Sequence, residues 1–368
     1  MKYKFEDIIF NITEKKKPVE EDKYNYIGLE HLESGNLFIS KWGSDTAPEG
    51  EKIVMKKGDV LFGKRRAYQK KVAISPIDGI FSAHGMVLRP KEDVICKEFL
   101  PFFISSEAFL NEAIRISVGG LSPTVNWKDI KELEFDLPSL AEQKVLAEKL
   151  WAAYELKQSY LKMIAATEEM VKAQFVEMFG SYGKRVKIGD RCSVSSGKSI
   201  PTKLEDIRGD IAYVKVADFN LPGNEKYIYS SQRYVAEESA KYSKMISTGS
   251  VIFAKNGAAS LSNKKRLTKI DCCIDMNTLS VKSTSNDLKD EFLFAVLQSL
   301  DISEHVRQGA IPSISPKSIE NCQIPYPTLE EQDKYISIAE QADKSISELR
   351  KSVDAIDKVI KSLINEKL

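Results

Sequence analysis

"LPSLAEQKVLAEKL" at 137–150 and "YPTLEEQDKYISIAEQ" at 326–341 share the pattern Pro-(Ser/Thr)-Leu-x-Glu-Gln, and each opens a helical run. Setting Pro138 over Pro327 fixes an offset of 189 residues. The match continues upstream without a gap: Gly120 falls on Gly309, Pro123 on Pro312, Val125 on Ile314, Lys128 on Lys317 and Ile130 on Ile319. Further upstream, "YNYIGLE" (24–30) pairs with "IAYVKVA" (211–217), and "KKGDVLFGKRR" (56–66) with "STGSVIFAKNG" (247–257). "EFLPFFISSEAF" (98–109) pairs in turn with "EFLFAVLQSLDI" (291–302). Each half therefore predicts the same order of short strands and helices, an α+β domain followed by a long helix. Two copies do not make a solenoid; they make a pseudo-dimer in one chain.

Both boxes have the form of a helix start. Ser139 and Thr328 can cap the first free N–H groups, and Glu142 and Glu331 complete a capping box three residues on. The second helix then carries Ala339, Ala342, Ile346, Leu349, Val353, Ile356, Ile360 and Leu363 in alternating steps of three and four, a heptad seam. The first helix is rougher: Leu146, Leu150, Ala153, Tyr160, Ile164, Val171, Phe175 and Met178, with gaps at Lys157 and Glu168. Gly180 and Gly183 stop it. The expected domains are 1–138 and 181–327, joined and separated by spacer helices 139–180 and 328–368 that form an antiparallel coiled coil. Helices of ~35–40 residues are rods of roughly 50–60 Å, a ruler between two heads.

The chain has 368 residues, 42% of them hydrophobic and 29% charged, which suits two soluble domains with real cores. It contains no apolar run of membrane-spanning length and no signal-peptide pattern, so a cytoplasmic location is expected. Five cysteines without a Cys-x-x-Cys pair argue against a disulfide scaffold and a zinc site. The net charge of +1 divides unevenly: −1 over 1–139, −1 over 140–183, +5 over 184–328 and −2 over 329–368. A polyanion site must then be a focused patch.

Catalytic patterns are missing. "SSGKS" (195–199) has Cys192 where a phosphate loop needs glycine. "IPYP" (324–327) lacks the leading acid or amide of an amino-methyltransferase box, and His31, His84 and His305 read as structural. The better signal is basic. "GKRRAYQKK" places Lys64, Arg65, Arg66, Lys70 and Lys71 around Tyr68, directly after the strand "GDVLF". The second copy has Lys255 and Asn256 after the equivalent strand, then Lys264, Lys265 and Arg266. An early loop adds Lys15, Lys16 and Lys17 in the first domain, with Lys198 and Lys203 in the second. A single lysine run is more often a solvated surface. Recurrence after the same strand favours DNA, where Arg can read guanine, Asn can read adenine and Lys holds phosphate.

A globular domain leading through Pro-x-Leu-x-Glu-Gln into a long helix, the whole repeated once with "GDVLFGKRRA" and "GAIPSIS" upstream, resembles the specificity subunit of type I restriction–modification systems across essentially the whole chain. The resemblance implies two target-recognition domains, each reading half of a split DNA site, and a helical spacer that sets the gap. It implies no catalysis on this chain. Two modification subunits would bind S-adenosylmethionine and methylate adenine, and restriction subunits would add cleavage. The paired loops Gly119–Ser122 and Gln308–Ile311 lie between domain and helix in this scheme. The competing class is a protein–protein adaptor with twin binding domains.

Overall fold

The computed structural model describes residues 1–205, 209–366 and 368. Its contacts separate two compact units, Met1–Met163 with Leu349–Leu368, and Ile164–Glu348. Both boundaries fall inside a long helix, so Leu140–Phe179 and Leu329–Asn365 each contribute to both units.

In unit 1 an antiparallel sheet has the order Ile9–Ile12, Met86–Pro90, Val60–Phe62, Val72–Ile74. A second sheet has the order Lys15–Lys16, Lys52–Met55, Gly79–Phe81, Tyr26–Ile27, the last pair parallel. Side chains alternate across the first sheet, so both of its faces are buried. Val60, Phe62 and Leu88 join a core with the helices Leu100–Ser105 and Glu107–Arg115, while Leu61, Ala73 and Val87 face the core of the second sheet. Phe5, Phe103, Phe109 and Phe135 cluster in the helical core.

Unit 2 repeats the four paired strands of the first sheet and adds Tyr227–Ile228 at its edge, while its second sheet carries Tyr234–Val235 at one edge in place of the Lys15–Lys16 strand that unit 1 has at the other. One sheet has the order Cys192–Ser196, Thr278–Ser283, Val251–Ala254, Lys265–Thr268, Tyr227–Ile228, and the other Tyr234–Val235, Ile211–Val214, Cys272–Ile274, Lys244–Ile246. The registers correspond: Phe62 lies opposite Met86 and Val72, as Phe253 lies opposite Leu279 and Lys265. The "SSGKS" segment thus begins in a sheet strand.

The repeated box does the same work in both units. Ser139 and Glu142 form the capping pair, as do Thr328 and Glu331, with the serine or threonine Oγ accepting from the glutamate N–H at 3.3 Å in each. The glutamine is wholly buried in both copies. Gln143 accepts from the Cys96 N–H at 2.9 Å and donates to the Val94 and Pro138 carbonyls at 2.9 and 3.0 Å. Gln332 accepts from the Lys289 N–H at 2.9 Å and donates to Asp287 and Pro327 at 2.8 and 3.1 Å. One buried amide satisfies three backbone groups and clamps the domain to the first turn of its helix.

Within unit 1, Leu146, Leu150 and Ala153 are buried or half-buried, as are Leu349, Val353, Ile356, Ile360 and Leu363 of the second helix. The Leu146 and Leu150 end shares its core with Ile364, while Lys157 Nζ meets Asp357 Oδ1 at 2.6 Å, so the helices run antiparallel. Within unit 2, Ile164 and Ala342 are buried, and Val171, Met178, Ala339 and Ile346 are half-buried. There Tyr335 reaches Val171 and Phe175, and Tyr182 donates to Glu331 at 2.7 Å, again antiparallel. The roughness of the first seam is corrected. Gln143, Leu146, Leu150, Ala153, Lys157, Tyr160, Ile164, Thr167, Val171, Gln174 and Met178 alternate in steps of three and four, and every one is at least half-buried. The expected gap at Lys157 is a seam position filled by an ion pair. The gap at Glu168 is a seam position one residue earlier, at Thr167.

Candidate nucleic-acid interface

Three segments meet beyond the end of the central strand in each unit. In unit 1 the backbone leaving Val60–Phe62 is stitched to the loop 118–125: the Val125 N–H donates to Lys64 O at 3.0 Å and the Arg66 N–H to Pro123 O at 2.6 Å. In unit 2 the Ile314 N–H donates to Lys255 O at 2.9 Å and the Gly257 N–H to Pro312 O at 2.8 Å. The third segment is a turn. The His84 N–H donates to Ser82 Oγ at 3.3 Å, and the Gly85 N–H to Ser82 O at 3.0 Å. Its counterpart has the Asn277 N–H on Asp275 Oδ1 at 3.2 Å and the Thr278 N–H on Asp275 O at 3.0 Å. The Gly-containing loops noted in the sequence are therefore one wall of the junction. Their tips, Leu121 and Ile311, are 97% and 70% exposed.

In unit 1 the junction collects Lys64, Arg65 and Arg66. Arg65 lies 3.3 Å from His84 Nε2, and Arg65 and Arg66 both donate to Ser122 Oγ, at 3.4 and 3.2 Å. Burial holds the Lys64 ammonium below its ordinary range, and the charge of Lys15 lowers it further. Burial also lowers the His84 pKa, followed by the charges of Arg65, Lys64 and Lys52. Lys15, Lys52, Lys64, Arg65 and His84 thus share one positive field. His84 is exposed and faces Arg65.

The other candidates are dispersed. Lys15 also pairs with Glu51 at 3.2 Å, Lys16 with Asp22 at 2.8 Å, and Lys17 is exposed. Tyr68 and Lys70 are exposed on the outer turn, whereas Lys71 donates to Leu29 O at 2.6 Å. In unit 2, Asn256 donates to Asn277 Oδ1 at 3.1 Å, Lys255 is half-buried beside it in sequence, and Lys264 reaches Asn220. Lys198 and Lys203 are exposed.

Two candidates are corrected outright. Lys265 is 1% exposed, with its ammonium on Asn263 Oδ1 and Leu300 O at 2.7 and 2.6 Å. Arg266 is also buried, and its guanidinium donates to the carbonyls of Asn224, Lys265 and Phe219. Both lie in the strand Lys265–Thr268, at positions that Val72 and Ala73 fill in unit 1, so they brace the fold.

Among the described residues no cluster of His, Cys, Asp or Glu is arranged to hold a metal ion, and no helix is long and apolar enough to cross a membrane. What the two units share is an exposed, strand-anchored junction carrying donors in one copy and amides in the other. These features define a protein with twin recognition domains on long helices.

The comparisons with known proteins give that class its family. The model of the type I restriction modification DNA specificity domain matches residues 2–162 and 183–356, so the chain belongs to that family. A putative type I restriction enzyme MjaX specificity subunit from Methanocaldococcus jannaschii is 22% identical over 98% of this chain and 89% of its own length. The EcoKI specificity subunit of Escherichia coli is 33% identical over a shorter stretch, 30% of this chain and 23% of its own. Among solved structures, a chain from a study of complex assembly and conformational transition of the type I R-M system has a TM-score of 0.60 at 18% identity, covering 100% of this chain and 97% of that one. The S subunit from M. genitalium gives 0.57 at 15%, over 99% and 94%. The shared fold is that of type I specificity subunits.

Proposed function

We propose that this chain is the DNA-reading subunit of a type I restriction–modification assembly. Each unit reads one half of a split, asymmetric site, and the length of the helical path sets the gap between halves. The chain contributes no catalytic centre. Two modification subunits dock on it, bind S-adenosylmethionine and methylate adenine in the recognised sequence. Restriction subunits join the same assembly to translocate and cleave unmethylated DNA. The work takes place in a prokaryotic cytoplasm.

The observation that carries this reading is the recurrence of one three-segment junction in both units, with the same backbone bonds and different polar side chains. A constant frame with variable donors and acceptors is what reading two different half-sequences requires. The test is a genome-wide adenine-methylation map by long-read sequencing, with the gene present and deleted and the partner methyltransferase active in both strains. The reading expects a split motif that disappears on deletion. An unchanged map would remove it and favour an adaptor.

A further inference from the structure

At the mouth of each junction two side chains from different segments meet. In unit 1 they are Arg65 and His84, with Arg65 Nη1 3.3 Å from His84 Nε2. In unit 2 they are Asn256 and Asn277, with Asn256 Nδ2 donating to Asn277 Oδ1 at 3.1 Å. The positions are equivalent by register. Ser82 and Asp275 make the same pair of turn bonds, and those bonds use the backbone of residues 84 and 277, not their side chains. His84 and Asn277 are exposed, so no core explains either side chain, and only Asn277 also bonds back to its turn, through Asp275.

The chemistry of each pair is fixed by its partners. An arginine only donates, so His84 Nε2 must accept from Arg65, which leaves the ring neutral with its proton on Nδ1. Unit 1 therefore presents a guanidinium and an imidazole N–H, two donors side by side. In unit 2 the carboxylate of buried Asp275 accepts from Asn277 Nδ2 at 3.1 Å and sets the orientation of that amide. Unit 2 presents amides, which both donate and accept. In the major groove guanine offers two acceptors, N7 and O6, and adenine an acceptor and a donor, N7 and N6.

We propose that these pairs are the base-reading elements of the two units: Arg65 with His84 reads a guanine edge in one half-site, and Asn256 with Asn277 an adenine edge in the other. The inference rests on the DNA-reading function proposed above and adds to it the residues and the base each would recognise.

The experiment is selection from a randomised duplex library by the full chain produced together with its methyltransferase partner, followed by sequencing. Thermal melting of each variant confirms folding. The wild type is expected to select a split motif. His84→Ala should relax one guanine position roughly tenfold, and Asn277→Ala one adenine position in the other half by a similar factor, all other positions keeping their preference. The exchange Asn256→Arg with Asn277→His should move the preference at that position from adenine to guanine. Folded variants that select the wild-type motif, or that weaken every position equally, would overturn the pairs as readers while leaving DNA recognition standing. A wild type that selects no motif would overturn both.

Discussion

Unit 1 sets Arg65 against His84 where unit 2 sets Asn256 against Asn277, yet the carbonyls of Lys64 and Lys255 accept the same bond from the neighbouring loop. The box glutamines go further, with one amide making three matching bonds in each copy. Where the duplicates agree, the shared groups satisfy backbone donors and acceptors. At the junction they differ in the side chains presented, Arg65 and His84 against Asn256 and Asn277, and in one buried strand they differ again, Lys265 and Arg266 standing where Val72 and Ala73 lie. On the DNA-reading function proposed above, the junction difference marks the reading surface and the shared clamps mark the scaffold.

The comparison breaks most severely if the clamps are unequal. Gln143→Ala and Gln332→Ala should each cost about 3 kcal/mol, because each strands buried donors and acceptors. Hydrogen exchange of the full chain checks this residue by residue. The Cys96 amide should lose protection in the first variant and the Lys289 amide in the second. If only one responded, the box would not have one meaning.

A smaller effect sharpens the contrast at the junction. Arg66 has φ 56° and ψ 51°, a left-handed conformation, whereas its counterpart Gly257 has φ 73° and ψ −172°, a region almost closed to side chains. Gly257→Arg should destabilise unit 2 by about 2 kcal/mol. Arg66→Gly should leave the stability of unit 1 unchanged or raised by up to ~1 kcal/mol, while weakening DNA binding through loss of a cation. Denaturant melts and a salt series of DNA affinity separate the two effects.

The smallest effect concerns Lys265. Burial lowers its pKa from an ordinary 10.5 to about 8. The folded state then holds fewer protons than the unfolded one between these values, so unit 2 gains stability as pH rises through that window. Lys265→Met should flatten this part of the stability–pH curve, whereas the equivalent Val72 in unit 1 contributes no such slope.

Much of this was legible because duplication is its own control. The box, the domain-and-helix order and most of the second seam follow from the 189-residue offset and the three–four spacing. What escaped reading escaped for physical reasons. Lys157 sits on the seam because Asp357 neutralises it, and a hydrophobic pattern does not register an ion pair. Lys265 and Arg266 resemble a surface run, but their strand partners place them where Val72 and Ala73 lie. Aligning "KRL" with "VAI" at an offset of 193 would have exposed the mistake. His84 needed its neighbour. A lone histidine carries no spacing signal, and only the pairing of 82–85 with 275–278 shows that it occupies the place of Asn277.

The central claim is that one unit reads one half-site. The most direct measurement is the adenine-methylation map of a strain whose chain carries an altered unit 1 junction, Arg65→Asn with His84→Asn, alongside the wild type and with the same methyltransferase partner. The account predicts a motif changed in one half only, with the other half and the gap between them preserved. A motif altered in both halves, or a changed gap with both halves intact, would contradict it.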